Sequence, residues 1–126
     1  MERLFWILSG INGFVAVALG AFGAHGLRAK LASAPDGARR LEVWQTAAHY
    51  HLMHALALGL VAYLCARSAG HGSSAGYLFQ AGILLFSGSL YVLALTGIGK
   101  FGAITPIGGL CFLAGWAALV WTAYKL

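Results

Sequence analysis

The sequence predicts an all-α membrane protein: one domain over residues 1–126, built as a bundle of four transmembrane helices. Three observations predict it. Only 9% of the residues are charged and 60% are hydrophobic, against about 25% charged in an ordinary soluble domain, so lipid must be most of the solvent. The charges fall in clusters, leaving Leu4–Leu27, Val43–Ala66, Ser68–Gly99 and Phe101–Tyr124 without Asp, Glu, Lys or Arg. Each stretch reaches the roughly 20 residues a helix needs to cross a bilayer. The alternation of a membrane β-strand is absent, and a helix satisfies its own backbone groups in hydrocarbon.

Helix 1 is expected over residues 4–25. Its apolar run exceeds the roughly 7 to 15 residues of a signal-peptide core, which predicts an anchor that is not removed. Ser9, Asn12, Ala16, Gly20 and Gly23 project within about 80° of one another at 100° per residue, and Ala16, Gly20 and Ala24 repeat a small-residue spacing that lets helices approach in lipid. Gly26 is expected to close the helix.

Residues 28–42 then form the one sizeable polar segment, expected as a basic loop with a turn at Pro35-Asp36-Gly37. Arg28, Lys30, Arg39 and Arg40 are the residues expected to contact lipid head groups. The spacing of Leu31, Leu41 and Trp44 is also compatible with a short interfacial helix, and Trp44 suits the headgroup level.

Helix 2 is expected over residues 43–66 and carries the segment His49-Tyr50-His51-Leu52-Met53-His54. Tyr50, His51 and His54 project within about 100° of one another, beside Ala47, Leu58 and Val61, while His49 points elsewhere. Three histidines therefore do not converge from this helix. His51 and His54 could pair, with His25 facing them, but zinc or copper wants three or four ligands. Cys65 and Cys111 stand alone, without a CxxC. The expectation is no metal and no cofactor. His54 and Tyr50, one turn apart, are expected to face the interior and to bond to the end of helix 1 near His25, or to Ser87, Ser89 and Tyr91.

A flexible loop follows at Ser68–Ser74, then helix 3 at residues 76–97. Gln80, Ser87 and Tyr91 fall within about 40° of one another, with Ser89 and Thr96 on the other side. Helix 4 is expected over residues 105–124, Thr105 capping it and Pro106 in its first turn. Asn12, Gln80, Ser87 and Tyr91 read as hydrogen-bonding residues that point into the bundle, because an amide facing lipid is costly.

No enzyme template is present: no GxSxG, no HExxH and no glycine-rich phosphate loop followed by Lys-Ser or Lys-Thr. No Asp or Glu lies mid-membrane, where a coupled transporter would most often use one. The net charge of +5 sits at helix ends without the basic stripe that nucleic-acid binding would want. The expectation is a protein that is not an enzyme, with membrane lipids as partners and no nucleic acid. Lys and Arg near the helix ends number five on the side of residues 28–42 and Lys100, against three on the other. The positive-inside rule then puts both termini outside the cytoplasm.

Four stretches, "GAFGAHGL" at 20–27, "WQTAAHYHLMHALAL" at 44–58, "LFSGSLYVLALTG" at 85–97 and "ITPIGGLCFLAGW" at 104–116, look like the domain-of-unknown-function 423 family. That family of small four-helix membrane proteins includes bacterial inner-membrane members and transmembrane protein 256 of animals. The resemblance covers nearly the whole chain. It implies the fold and an inner, or cytoplasmic, membrane location, and no activity. The motif takes in His25, Tyr50, His54, Ser87, Ser89 and Tyr91 but not His49 or His51. Three functions remain open: a structural or accessory component of a membrane assembly; an oligomeric transport or channel unit lined by Asn12, Tyr50, His54, Gln80 and Tyr91; and a binder of lipid or another hydrophobic ligand. The first stands foremost, as a homo-oligomer or within a larger complex.

Overall fold

The computed structural model describes residues 1–126 and is a bundle of four long helices: α1 (Glu2–Leu31), α2 (Gly37–Arg67), α3 (Ser73–Thr96) and α4 (Thr105–Tyr124), the last preceded by a 3-10 turn at Gly99–Ala103. All are long and apolar enough to span a membrane. The centre of the bundle is the α2–α3 pair. α1 lies along α2 and reaches α3 through side chains, with Phe5 against Gly76 and Asn12 against Gln80. α4 lies along α3 and reaches α2 through Phe112 and Trp116. Burial follows this order: α2 carries the longest run of buried residues, and α1 and α4 turn broad apolar faces outward.

Helix lengths differ from the sequence reading at the first hairpin. The expected loop at 28–42 shrinks to a turn at residues 32–36, because α1 runs past Gly26 to Leu31 and α2 begins at Gly37. Leu27 and Leu31, one turn apart, are buried against Trp44 and Ala94, so the apolar face of α1 continues while Arg28 and Lys30 ride on its outer face. Charge marks where a helix leaves hydrocarbon, not where it ends. The hairpin is tight because Gly37 lacks a side chain, since a Cβ there would meet the carbonyl oxygen of Leu31. With 30 and 31 residues, α1 and α2 extend about 45 Å at 1.5 Å per residue, beyond the bilayer core. The segment compatible with an interfacial helix is thus the first turns of α2.

α3 starts three residues earlier than expected and ends at Thr96, with Gly97 at φ 71° closing it in the left-handed region that glycine tolerates. α4 matches residues 105–124 with Pro106 in its first turn, but Thr105 does not cap it; its hydroxyl bonds to Ser89 Oγ at 2.7 Å.

The close approach of α3 and α4 rests on glycines. A Cβ on Gly108 would strike the backbone of Phe86, one on Gly82 the ring of Phe112, and one on Gly115 would lie 2.7 Å from the ring of Phe79. Phe86 belongs to a π-helical turn, Ile83–Ser87, and a second one, Gly23–Leu27, lies in α1. Such turns add a residue and bulge the backbone, here toward Gly108 in α3. In α1 Gly23 receives the indole of Trp44, which donates to Leu19 C=O at 2.7 Å. The expected small-residue seam at Gly20 and Ala24 does not form: nothing approaches Gly20, and Ala24 is exposed.

Candidate functional site

Two buried histidines, three residues apart on α2, organise the interior. His51 faces α1 and α3. Its Nε2 lies 3.0 Å from Asn12 Oδ1 and its Nδ1 lies 3.0 Å from the Tyr91 hydroxyl. Asn12 Nδ2 donates to Gln80 Oε1 at 2.9 Å and to Leu8 C=O at 2.8 Å. The inventory of donors settles the tautomer. Asn12 Oδ1 only accepts, so His51 Nε2 carries the hydrogen; Nδ1 then accepts, and Tyr91 O–H donates to it. One directional chain runs from Tyr91 through His51 to Asn12 and Gln80, tying α3 to α2, α1 and back to α3.

His54 faces α4 and has the opposite tautomer. Its Nδ1 lies 2.8 Å from Tyr50 C=O and must donate, and its Nε2 accepts from Trp116 Nε1–H at 3.1 Å. The ring is sandwiched in aromatic carbon: Phe112 stacks on it at 3.6 Å, and Phe79 and Trp116 close the sides at 5.5 and 5.9 Å. The two sites differ in how they could take a second proton. On a cationic His51, Nδ1–H would meet the Tyr91 oxygen, which can rotate its own hydrogen away and accept. On a cationic His54, Nε2–H would point at the Trp116 N–H, and indole nitrogen has no accepting role. His51 can therefore be protonated with both bonds kept; His54 cannot.

Ser87, fully buried, donates to Ala47 C=O at 2.9 Å, and Ser89 bonds to Phe86 C=O and Thr105 on the α4 side. Asn12, Gln80, Ser87 and Tyr91 thus point into the bundle as their helix faces predict, and Asn12, Gln80 and Tyr91 meet. Two residues expected inside stand elsewhere. His25 is exposed on the outer side of the π-helical turn of α1, and Tyr50 is 37% exposed, its ring resting on Phe86 and Phe112. Tyr50 lies about 60° off the centre of the buried stripe, by 100° per residue. His54 bonds to Trp116 instead of His25, Ser87, Ser89 or Tyr91. His49 is exposed on the other face. No three His, Cys, Asp or Glu side chains gather in a metal-holding cluster.

His51 stands outside the family motif and outside the expected interior cluster, yet helical projection places it about 40° from Ala47 and about 20° from Leu58, both buried. That signal was sufficient. Trp116 and Thr105 stand in the motif stretch 104–116, but only the packing shows which face of α4 meets α2 and α3. Of the basic residues at the hairpin, Arg28, Lys30 and Arg39 are exposed. Arg40 is not free for a head group: its guanidinium donates to Ala94 C=O at 2.8 Å and Leu95 C=O at 2.7 Å and pairs with Asp36 at 3.6 Å. It satisfies carbonyls left open at the C-terminal end of α3.

A shallow crevice of about 240 Å³ opens between α1 and α3 above the His51 chain, walled by Val15, Leu19, Ile83 and Leu84. No buried side-chain nitrogen or oxygen in the protein lacks a hydrogen-bond partner. The arrangement can lock helices in register.

A family profile described as "Protein of unknown function (DUF423)" matches residues 19–109. The UPF0382 membrane protein YwdK of Bacillus subtilis is 50% identical over 125 residues, 98% of this chain and 98% of its own. A UPF0382 membrane protein of Staphylococcus aureus is 43% identical over 123 residues, covering 98% of this chain and 97% of its own. One from Staphylococcus saprophyticus is 44% identical over 124 residues, covering 98% and 99%. No solved structure matches.

Proposed function

Because the chain belongs to the DUF423 family, whose relatives are named as membrane proteins without an activity, we propose that it is a structural, accessory component of a membrane assembly and not an enzyme. The observation that carries this reading is the closed interior: every buried polar side-chain atom is bonded within the protein. Polar groups in hydrocarbon that are satisfied by one another fix helix register. The residues considered for a transport path are divided between the His51 and His54 networks on opposite flanks of the α2–α3 pair, with Tyr50 at the rim.

The outward faces of α1 and α4, including Ile7, Ile11 and Phe14 on one and Leu110, Leu113 and Val120 on the other, are the surfaces offered to neighbours, either a second copy or a larger complex. The setting of this reading is the cytoplasmic membrane, with the α1–α2 hairpin inside and Arg28, Lys30 and Arg39 at the head groups. Photocrosslinking from Phe14 and Leu113 in intact cells, followed by native mass spectrometry of the product, tests it. A discrete crosslinked species heavier than the 13.2 kDa chain is expected. A chain that crosslinks only to lipid and flies as a monomer from gentle detergent overturns it.

A further inference from the structure

We infer that the end of the bundle bearing Arg67 and Lys125 is a binding site for an anionic phospholipid, with the phosphate in a basic pocket and an acyl chain in the apolar groove beside it. The pocket, of about 500 Å³, lies where the end of α2, the α2–α3 turn, the start of α3 and the end of α4 meet; Arg67, His71, Ser74, Trp121 and Lys125 line it. Its two cations have no carboxylate partner, since the protein's sole ion pair is Arg40–Asp36 at the other end. Each is steadied over an aromatic ring instead: Arg67 Cζ is 5.6 Å from the Tyr63 centroid and Lys125 Nζ is 4.6 Å from that of Trp121. His71 is held at the pocket wall by Nδ1, which donates to Ser68 C=O at 2.6 Å. Ser74 lies in the first turn of α3, whose positive dipole end adds to the field.

About one turn further along α2 and α4 lies a separate groove of about 280 Å³ lined wholly by apolar or aromatic residues, among them Leu60, Leu64, Leu119 and Val120. Leu60 stands two helical turns below Arg67, about 10 Å. A cationic pocket with an apolar groove one turn away matches one amphiphile: a phosphate head with a hydrocarbon tail. The base of the pocket is preformed, because Gly72 packs so closely on Thr122 that an added Cβ would sit 3.1 Å from its Cγ2. The pocket at the opposite end, between α1 and α2, has a single cation, Arg28.

Native mass spectrometry of the full chain, purified in detergent and titrated with phosphatidylglycerol, phosphatidylcholine or inorganic phosphate, tests the assignment. One phosphatidylglycerol per chain is expected to be retained over phosphatidylcholine. Arg67→Gln combined with Lys125→Gln should reduce that preference by about tenfold or more, the scale of two basic residues at an anionic surface. Arg3→Gln combined with Lys100→Gln, exposed positions that do not line the pocket and together remove the same net charge, should leave it unchanged. Ala123→Trp, which fills the groove, should weaken lipid retention with the basic residues intact. Equal losses in both double variants would overturn the site in favour of diffuse attraction. Displacement of the lipid by millimolar inorganic phosphate, or undiminished retention in Ala123→Trp, would overturn the role of the acyl groove.

Discussion

Among single residues, His51 is the one whose loss the interior can least absorb. Its ring joins three helices through Asn12 and Tyr91. Replacing it by Leu leaves an amide oxygen and a phenol without partners in a buried setting, each costing about 1–3 kcal/mol. His51→Leu is therefore expected to lower the thermal unfolding midpoint in detergent well below that of His49→Leu, which alters an exposed position. Equal midpoints would show that the chain of hydrogen bonds does not hold the helices. At His54 the chemistry of the partner can be tested separately from volume. His54→Phe preserves an aromatic ring against Phe112 but strands the Trp116 N–H, so the reduced unfolding midpoint of that variant should be partly restored by adding Trp116→Phe. Asn12→Leu breaks bonds to both His51 and Gln80; the expected destabilisation is on the order of 1 kcal/mol, read by the same unfolding measurement.

Between elements, glycine decides which helices may touch. Gly108 faces the Phe86 backbone where α3 bulges into its π-helical turn, whereas a Cβ on Gly13 would meet nothing within 4 Å. Gly108→Ala should destabilise the α3–α4 contact, since overpacking costs about 1–3 kcal/mol and a backbone atom cannot move aside as a side-chain tip can. Gly13→Ala should be neutral or stabilising, because alanine gains up to about 1 kcal/mol of helix propensity over glycine. A stability ranking in the reverse order would contradict the placement of these helices. Arg40 acts on the same scale, reaching from the first turns of α2 to the end of α3 and packing beside Gly97. It is a bolt between elements.

For the whole molecule, helix lengths and charges set how it sits in the bilayer. The α1–α2 hairpin extends beyond the hydrocarbon and carries Arg28, Lys30 and Arg39, while the other end carries Arg67 and Lys125. The side with more Lys and Arg near helix ends is expected to face the cytoplasm. A protease-sensitive tag at the C-terminus should accordingly be cleaved in right-side-out vesicles; protection of the tag would invert the arrangement. The outward faces of α1 and α4 are apolar and exposed, and the proposed lateral assembly would form on them.

By itself the sequence determined the solvent, the number of crossings and the inward faces of Asn12, Gln80, Ser87 and Tyr91. These follow from hydropathy and helical period, which are local: a run of about 20 apolar residues is legible wherever it occurs, and 100° per residue fixes which side chains share a face. The end of α1 differs because Gly26, expected to close it, stays within a helix whose buried face Leu27 and Leu31 continue. Only the tertiary structure decided that His51 meets Asn12 and Tyr91, that His54 turns to Trp116, that His25 stays outside and that Arg40 belongs to α3. Those partners lie 39 to 62 residues apart in the chain, and in lipid no hydrophobic force orders one apolar helix against another. Which helices meet, and at what rotation, is set by where glycines permit contact and where polar atoms can satisfy one another, conditions that exist only once the helices are side by side.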